Sequence, residues 1–319
     1  MKLATTDKKA ITSNIKAEAA NLGFFACGTA PAGPVDRQTA GNFTKWLSSK
    51  GYASMEYMAK YDDKRLDPTL LMPEAKSIIC VAMNYAPHKM MDATEYRLAA
   101  YAYGKDYHDI MKDKLRLLAA AIPSENIKIC CDTAPVLEKY WAMKAGIGWI
   151  GKNHLLTIPH AGNMFFLGEI ITDIELAYDN PAPDRCGTCH ACIDACPTKA
   201  LGGNGQQDCN DTDGFSAEAC LSYQTIENRG LLSEKARRCM GNYIYGCDRC
   251  ITACPWNRFA KPCTEPLLQP SAELMDMKKD EWHVLSPERY RRLFKGSAVK
   301  RTKYEGLMRN ITAAKEKLE

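Results

Sequence analysis

The sequence has no apolar run approaching the roughly 20 residues that a membrane-spanning helix needs, so neither an integral membrane protein nor a membrane partner is expected. Its first residues, Met1-Lys2-Leu3-Ala4-Thr5-Thr6-Asp7, contain no apolar core of a secretory signal, which leaves the cytoplasm as the expected compartment. There is no large excess of either charge. Lys and Arg number 42 against 38 Asp and Glu, a net +4 that is too small by itself to identify a nucleic-acid partner. No low-complexity segment occurs, and no internal repeat beyond two cysteine runs. The glycines of Gly146-Ile147-Gly148-Trp149-Ile150-Gly151 follow no clear strand, so they do not signal a dinucleotide-binding fold.

Cysteine is what the sequence has in abundance, 15 in 319 residues. Cys186-Gly187-Thr188-Cys189-His190-Ala191-Cys192-Ile193-Asp194-Ala195-Cys196-Pro197 is the C-x2-C-x2-C-x3-C-P run of two-cluster ferredoxins, in which the Cys before Pro ligates the other cluster. Cys247-Asp248-Arg249-Cys250-Ile251-Thr252-Ala253-Cys254-Pro255 is its partner, one thiolate short, and Cys220 can supply the missing one. Two [4Fe–4S] sets follow: Cys186, Cys189, Cys192 and Cys254, and Cys196, Cys220, Cys247 and Cys250. Zinc held by the C-x2-C pairs is the alternative, but zinc has no use for two C-x3-C-P endings. Of the other cysteines, Cys80, Cys130 and Cys131 lie in apolar runs and read as small core residues.

Roughly 180 residues precede the first run, far more than a simple ferredoxin needs. Periodicity predicts helices over 7–22, 35–50, 106–122 and 136–145, and strands at 24–28, 77–83 and 127–131. Leu155–Ile158 and Met164–Thr172 read as a hairpin turning at 160–163. The polar and aromatic mixture over 57–65 suits a binding loop or short helix. Residues 202–214, rich in Gly, Asn and Asp, read as an exposed loop. Asp132 ends a buried strand, a usual place for a functional side chain. With Thr133-Ala134-Pro135 it equally fits a helix N-cap, and both readings stand. Near the C-terminus Arg289, Arg291, Arg292, Lys295, Lys300, Arg301, Lys303 and Arg309 face only Glu305 over that span. The cysteine module alone would allow an electron-transfer protein whose N-terminal region docks a partner; the extra chain argues for a second redox centre or a substrate site.

Nearly the whole chain resembles the epoxyqueuosine reductases of tRNA queuosine biosynthesis. The resemblance rests on Lys64-Arg65-Leu66-Asp67-Pro68, Tyr103-Gly104-Lys105-Asp106-Tyr107-His108 and Asp132-Thr133-Ala134-Pro135-Val136-Leu137-Glu138. It continues through Ala145–Asn153, Phe166-Leu167-Gly168-Glu169-Ile170, both cysteine runs, and Cys220-Leu221-Ser222-Tyr223. It implies an α+β chain: an α/β cobalamin-binding catalytic domain over 1–180, a ferredoxin-like module with two [4Fe–4S] clusters over 181–260, and a basic helical C-terminal extension over 261–319. The implied reaction reduces the epoxide of epoxyqueuosine at the tRNA wobble position to queuosine. Asp132 matches the family's proton donor, with a pKa expected to be raised by burial. Arg65, Leu156, Leu167 and Ser222, with Asp132, match its cobalamin contacts. Tyr107 and His108 lie in a specific motif of unassigned role. Corrinoid reductive dehalogenases share the architecture and are the closest alternative. Longer members continue with helical repeats after the Gly-Ser segment, here Gly296-Ser297, whereas this sequence stops at Glu319; a short form is expected. Arg291, Arg292, Lys300 and Arg301 then become the candidates for gripping tRNA phosphates. A monomer fed by an external donor such as a flavodoxin or ferredoxin is expected.

Overall fold

The structure is a computed structural model that describes residues 5–202 and 215–316; most of the predicted 202–214 loop lies outside the described residues. The first segment comprises α1 (Thr5–Asn21), β1 (Ala26–Pro31), α2 (Arg37–Ser48), α3 (Asp62–Leu66), β2 (Ser77–Asn84), β3 (Arg97–Leu98), α4 (Tyr107–Ala120), β4 (Ile127–Cys130), α5 (Glu138–Lys144), β5 (Trp149–Ile150), β6 (Leu156–Thr157) and β7 (Phe165–Thr172). The cysteine-rich segment carries α6 (Ala191–Asp194), α7 (Leu221–Ile226), α8 (Glu234–Cys239), β8 (Tyr243–Tyr245) and α9 (Arg249–Thr252). Helices α10 (Ala272–Asp276), α11 (Lys279–His283), α12 (Pro287–Leu293) and α13 (Lys303–Lys315) complete the chain. Among the described residues no helix is long and apolar enough to cross a membrane.

The central sheet has the order β1-β2-β7-β4, and every pair in it is antiparallel. Both faces are covered, which is why its two inner strands read as continuous apolar runs. Ile79, Val81, Met83 and Ile170 pack with Ile15 and Ala19 of α1 and Met111, Leu115 and Leu118 of α4. The alternate residues, Ile78, Cys80, Ala82, Leu167 and Ile171, pack with Tyr140, Trp141 and Ala145 around α5. Cys80, Cys130 and Cys131 are buried in these two cores.

Two predicted features differ. β7 does not pair with β6: β6 pairs with β5, and β7 inserts between β2 and β4. Its eight residues bury nearly all their side chains, and only a central position with two strand neighbours satisfies such a strand. Asp132 is not the cap of α5, whose N-cap is Leu137. Asp132 instead has φ 55°, a left-handed conformation in which a side chain is turned away from the strand it ends.

The three segments share one core. β3 pairs in parallel with β8, one strand from the N-terminal segment and one from the cysteine-rich segment. The buried Asp248 carboxylate accepts the Ala100 N–H at 2.7 Å. In α13, the fully buried Asn310 donates to the carbonyls of Thr225 and Ile244, each at 2.8 Å. Arg309 donates to the carbonyls of Gln224, Asn228 and Gly230, the region where α7 ends. Arg309 therefore belongs to the scaffold and not to a solvated basic face.

Candidate active site and iron–sulfur centres

Asp106 caps α4 by accepting the His108 N–H at 3.1 Å. The same carboxylate oxygen lies 2.6 Å from His108 Nδ1. This holds the ring so that Nε2 faces the Asp132 carboxylate at 2.8 Å. With an acceptor at each nitrogen the imidazole is held as an imidazolium donating both N–H groups. Burial pushes its pKa down, but the hydrogen bonds to Asp106 and Asp132 outweigh this and raise it to about 9.

Asp132 is affected in the opposite sense. Burial pushes its carboxyl up, yet the hydrogen bond and charge of His108, with a hydrogen bond from the Tyr107 hydroxyl, bring it below the usual carboxylate range. The expected raised pKa is corrected: the proton sits on His108, one hydrogen bond away. Tyr107 is held by stacking on Phe166, ring centroids 4.0 Å apart, and on His108 at 4.1 Å. The Asp132 side chain is 55% exposed although protein surrounds it closely enough for burial to act strongly on it, so it lies in an open recess.

Glu138, Lys139, Arg65 and Tyr57 lie near enough to Asp132 to feel its charge. The Glu138 carboxylate accepts the Asp132 N–H, which fixes the loop between β4 and α5. Glu138 is pushed up by burial and by the Asp132 charge. Arg65 is buried; it donates to the Tyr57 carbonyl at 3.1 Å, and its Nε has no protein partner. Lys139 feels the charges of Glu138, Asp132 and Cys250, so it lies between the Asp132 loop and the cysteine-rich segment. Ser222 lies half-buried in the first turn of α7, two residues after Cys220. Leu156 and Leu167 are buried in the core beneath α5.

Cys186, Cys189, Cys192 and Cys254 line one cavity with Lys152 and Trp256. The Trp149 indole N–H points at Cys186 Sγ, 3.3 Å away. Cys196, Cys220 and Cys250 meet around Ala200 and Leu201. Cys250 is pushed up by burial and then by the charges of Cys247, Cys220, Cys196 and Cys192, so thiols of both runs lie within electrostatic reach of it. The Ala200 N–H donates to Cys196 Sγ at 3.2 Å. Burial and the other thiols raise Cys192 to about 11, and burial raises Cys247 likewise to about 11. Such sets hold several thiolates together only around added positive charge. Among the described residues no three His, Cys, Asp or Glu side chains converge as closely as a single ion requires. Cys186, Cys189, Cys192 and Cys254 stand around a space, which suits an iron–sulfur cube.

The basic C-terminal residues are less uniform than their sequence run. Arg292 pairs with Glu273 at 2.6 Å and Arg291 with Glu288 at 3.4 Å, while both remain well exposed. Lys300 is exposed. Arg301 bonds both oxygens of Glu227, at 2.8 and 3.0 Å, and stands 5.7 Å from the centre of the Tyr57 ring. It is therefore part of the rim of the recess. Glu305 is the only acidic residue within the run, but Glu227, Glu273 and Glu281 reach it from other elements.

Sequence reasoning missed His108, Glu138 and Lys139 as members of the site. The available signal was Asp106 two residues before His108, since a capping carboxylate there also reaches the ring.

Residues 65–133 match the family described as "Epoxyqueuosine reductase QueG, DUF1730", and residues 185–257 match the "4Fe-4S double cluster binding domain". The chain is similar to the epoxyqueuosine reductase of Cellulophaga algicola, 42% identical over 301 residues, covering 93% of this chain and 95% of that one. It is 34% identical to that of Escherichia coli over 320 residues, covering 97% and 81%. A crystal structure of an epoxyqueuosine reductase with an epoxyqueuosine-modified tRNA-Tyr stem loop superposes with a TM-score of 0.86 at 30% identity, covering 97% of this chain and 81% of that one.

The His108 contacts yield a direct test. Proton NMR of the imidazole should titrate near pH 9 in the wild type. In Asp132→Asn one charged acceptor is removed, and the midpoint should fall toward the ordinary 6.5. Because the folded-state value is raised, His108 stabilises the fold fully below about pH 6.5, and that contribution disappears as pH rises through about 9. An unchanged midpoint in Asp132→Asn would remove Asp132 from the proton-holding group.

Proposed function

This chain belongs to the epoxyqueuosine reductase family, enzymes that reduce the epoxide of epoxyqueuosine in tRNA to the alkene of queuosine with cobalamin and two [4Fe–4S] clusters, and from that premise we propose how its residues divide the work. Cys186, Cys189, Cys192 and Cys254 hold one cluster; Cys196, Cys220, Cys247 and Cys250 hold the other. Cobalamin occupies the recess. The orphaned Nε of the buried Arg65 supports this, as a donor suited to the cofactor's amide or phosphate oxygens. Ser222 adds a contact from the cluster side, and Leu156 and Leu167 support the recess from beneath. When bound, the cofactor supplies the reducing cobalt that the clusters recharge.

The chain's own residues manage the protons. Opening and removing an epoxide oxygen consumes two electrons and two protons and releases water. The observation that carries the reading is the Asp106–His108–Asp132 chain at the accessible recess. Asp132 faces the substrate space and delivers to the departing oxygen the proton that His108 stores. Asp106 holds the ring in register and balances its charge. Tyr107 keeps the Asp132 carboxylate oriented.

The division of labour follows the chain: 1–180 for cofactor and chemistry, 181–260 for electron entry, 261–319 for support and tRNA. The substrate is tRNA bearing epoxyqueuosine, which puts the reaction in the cytoplasm. The protein works as a monomer served by a one-electron donor such as a flavodoxin or ferredoxin. Arg291, Arg292 and Lys300 meet tRNA phosphates, and Arg301 does so at the rim of the recess. The relatives matched along the whole chain are epoxyqueuosine reductases, which sets aside a dehalogenase or a non-catalytic carrier.

Three experiments test this reading. Asp132→Asn should fold and load iron and cobalt normally, with turnover of epoxyqueuosine tRNA reduced about a hundredfold or more; near wild-type turnover under saturating reductant would take Asp132 out of the chemistry. Cys196→Ala should damage the cluster of Cys220, Cys247 and Cys250, and EPR showing loss only of the first-run cluster would disprove the grouping. Replacing Arg291, Arg292 and Lys300 together with Glu should weaken tRNA binding and flatten its salt dependence, the log–log slope falling by roughly 0.7–0.9 for each phosphate that is no longer neutralised. Unaltered affinity across salt concentrations would return these residues to ordinary surface.

A further inference from the structure

The turn between β5 and β6 brings the N-terminal segment against the first cysteine run. It carries Gly148-Trp149-Ile150-Gly151-Lys152-Asn153, of which Gly151, Lys152 and Asn153 line the cavity of Cys186, Cys189, Cys192 and Cys254. The Lys152 ammonium donates to the Gly187 carbonyl at 2.8 Å, which pins the loop between Cys186 and Cys189. The Trp149 indole N–H donates to Cys186 Sγ at 3.3 Å. Three features fix that ring. Trp149 pairs with Thr157 across β5 and β6. A side chain at Gly148 would collide with the Thr157 carbonyl, so only glycine lets the backbones approach this closely. Trp256, two residues beyond Cys254, meets the Trp149 ring edge-on with centroids 5.0 Å apart.

Trp149 is buried, and a buried indole N–H ordinarily finds a partner. The interior of this protein does not insist on one: Nε1 of Trp141 and of Trp282 is buried without any. A cysteine thiol is only a weak acceptor, so the bond adds little to the fold by itself. A cluster ligand differs. Its sulfur carries thiolate charge, and that charge grows when the cluster takes up an electron. A fixed N–H therefore stabilises the reduced state more than the oxidised one. The second cysteine set has other neighbours. The Ala200 N–H donates to Cys196 Sγ at 3.2 Å, and the Thr198 hydroxyl lies 3.8 Å from the same sulfur.

We propose that Trp149 tunes one cluster of the two: its N–H raises the reduction potential of the cluster held by Cys186, Cys189, Cys192 and Cys254, and Lys152 keeps Cys186 in place for that bond. The inference rests on the two-cluster reading of the cysteine sets. Trp149 exchanges neither proton nor electron. The cluster accepts one electron from the external one-electron donor and passes one on toward the recess. The hydrogen bond sets how readily the first of these steps occurs. Trp149 is thus a positioning residue that acts through Cys186.

Trp149→Phe keeps a ring in place and deletes the N–H. In the holoenzyme, an EPR-monitored redox titration should show one cluster midpoint moving to lower potential. Its equilibrium constant for electron uptake should fall about threefold to tenfold, the upper figure being about 59 mV for a one-electron couple. The other midpoint should remain where it is, as should tRNA affinity. Turnover at limiting donor should fall, and it should recover under a stronger reductant. Two unchanged midpoints, or two that move together, overturn the proposal. Should Trp149→Phe fail to load iron, wild-type protein containing tryptophan isotopically labelled at the indole nitrogen decides. Pulsed EPR of the reduced protein should show hyperfine coupling to an indole nitrogen, and that coupling should persist in Trp256→Phe. No such coupling, or its loss with Trp256, overturns the proposal. A wild-type protein that takes up zinc in place of iron would instead remove the two-cluster reading on which the inference rests.

Discussion

The 2.8 Å contact between His108 and Asp132 sets where charge and proton reside in the recess. An aspartate so placed cannot be both neutral and hydrogen-bonded to a cationic ring; the pair settles as carboxylate and imidazolium. Asp106 makes this possible by capping α4 and neutralising the ring from behind. One turn of helix is thereby stabilised by the same oxygen that tunes the site. The left-handed backbone at Asp132 completes the arrangement, because an extended residue there would continue β4 and carry its side chain away from the ring.

A second constraint is topological. Cys254 lines the cavity of the first cysteine run, and Cys196 is a neighbour of Cys220 and Cys250. Each set therefore draws on chain segments roughly sixty residues apart, and neither forms unless both runs are folded against each other. The β3–β8 pairing, the Asp248–Ala100 bond and the Asn310 bonds keep this module fixed to the N-terminal sheet. Electron transfer depends on fixed separations, and a module packed into the same core as the recess provides them. The C-terminal helices serve this purpose before any contact with nucleic acid: Arg309 and Asn310 direct their donors to α7, β8 and the loop between α7 and α8.

A few buried polar atoms are left without partners. Of seven buried side-chain atoms without partners among the described residues, three belong to Arg65 and Glu169. A core selected only for stability would replace both. An unmet donor on the buried Arg65 and an unpaired carboxyl on the buried Glu169 are both costly in a packed interior.

The sequence by itself determined the local and the countable. Cysteine spacing pointed to two clusters, and residues 185–257 match a double-cluster domain, because cluster ligation favours those intervals whatever the fold. Apolar runs specified β2 and β4, and the periodicity of α1, α2 and α4 was legible within a few residues. The motif around Asp106, Tyr107 and His108 was visible, but not its use. Tertiary structure decided the rest. β7 was read as half of a hairpin, yet a strand buried on both faces pairs with whichever neighbours complete its ladder, and those were β2 and β4, distant in sequence. Asp132 was left between a helix cap and a proton donor with a raised pKa; its charge state depends on His108, a ring 24 residues away that no local pattern brings near. The basic run looked continuous because its partners, Glu227 and Glu273, arrive from other elements. Charge balance, proton position and strand neighbours are properties of through-space distance, and only the folded chain sets those distances.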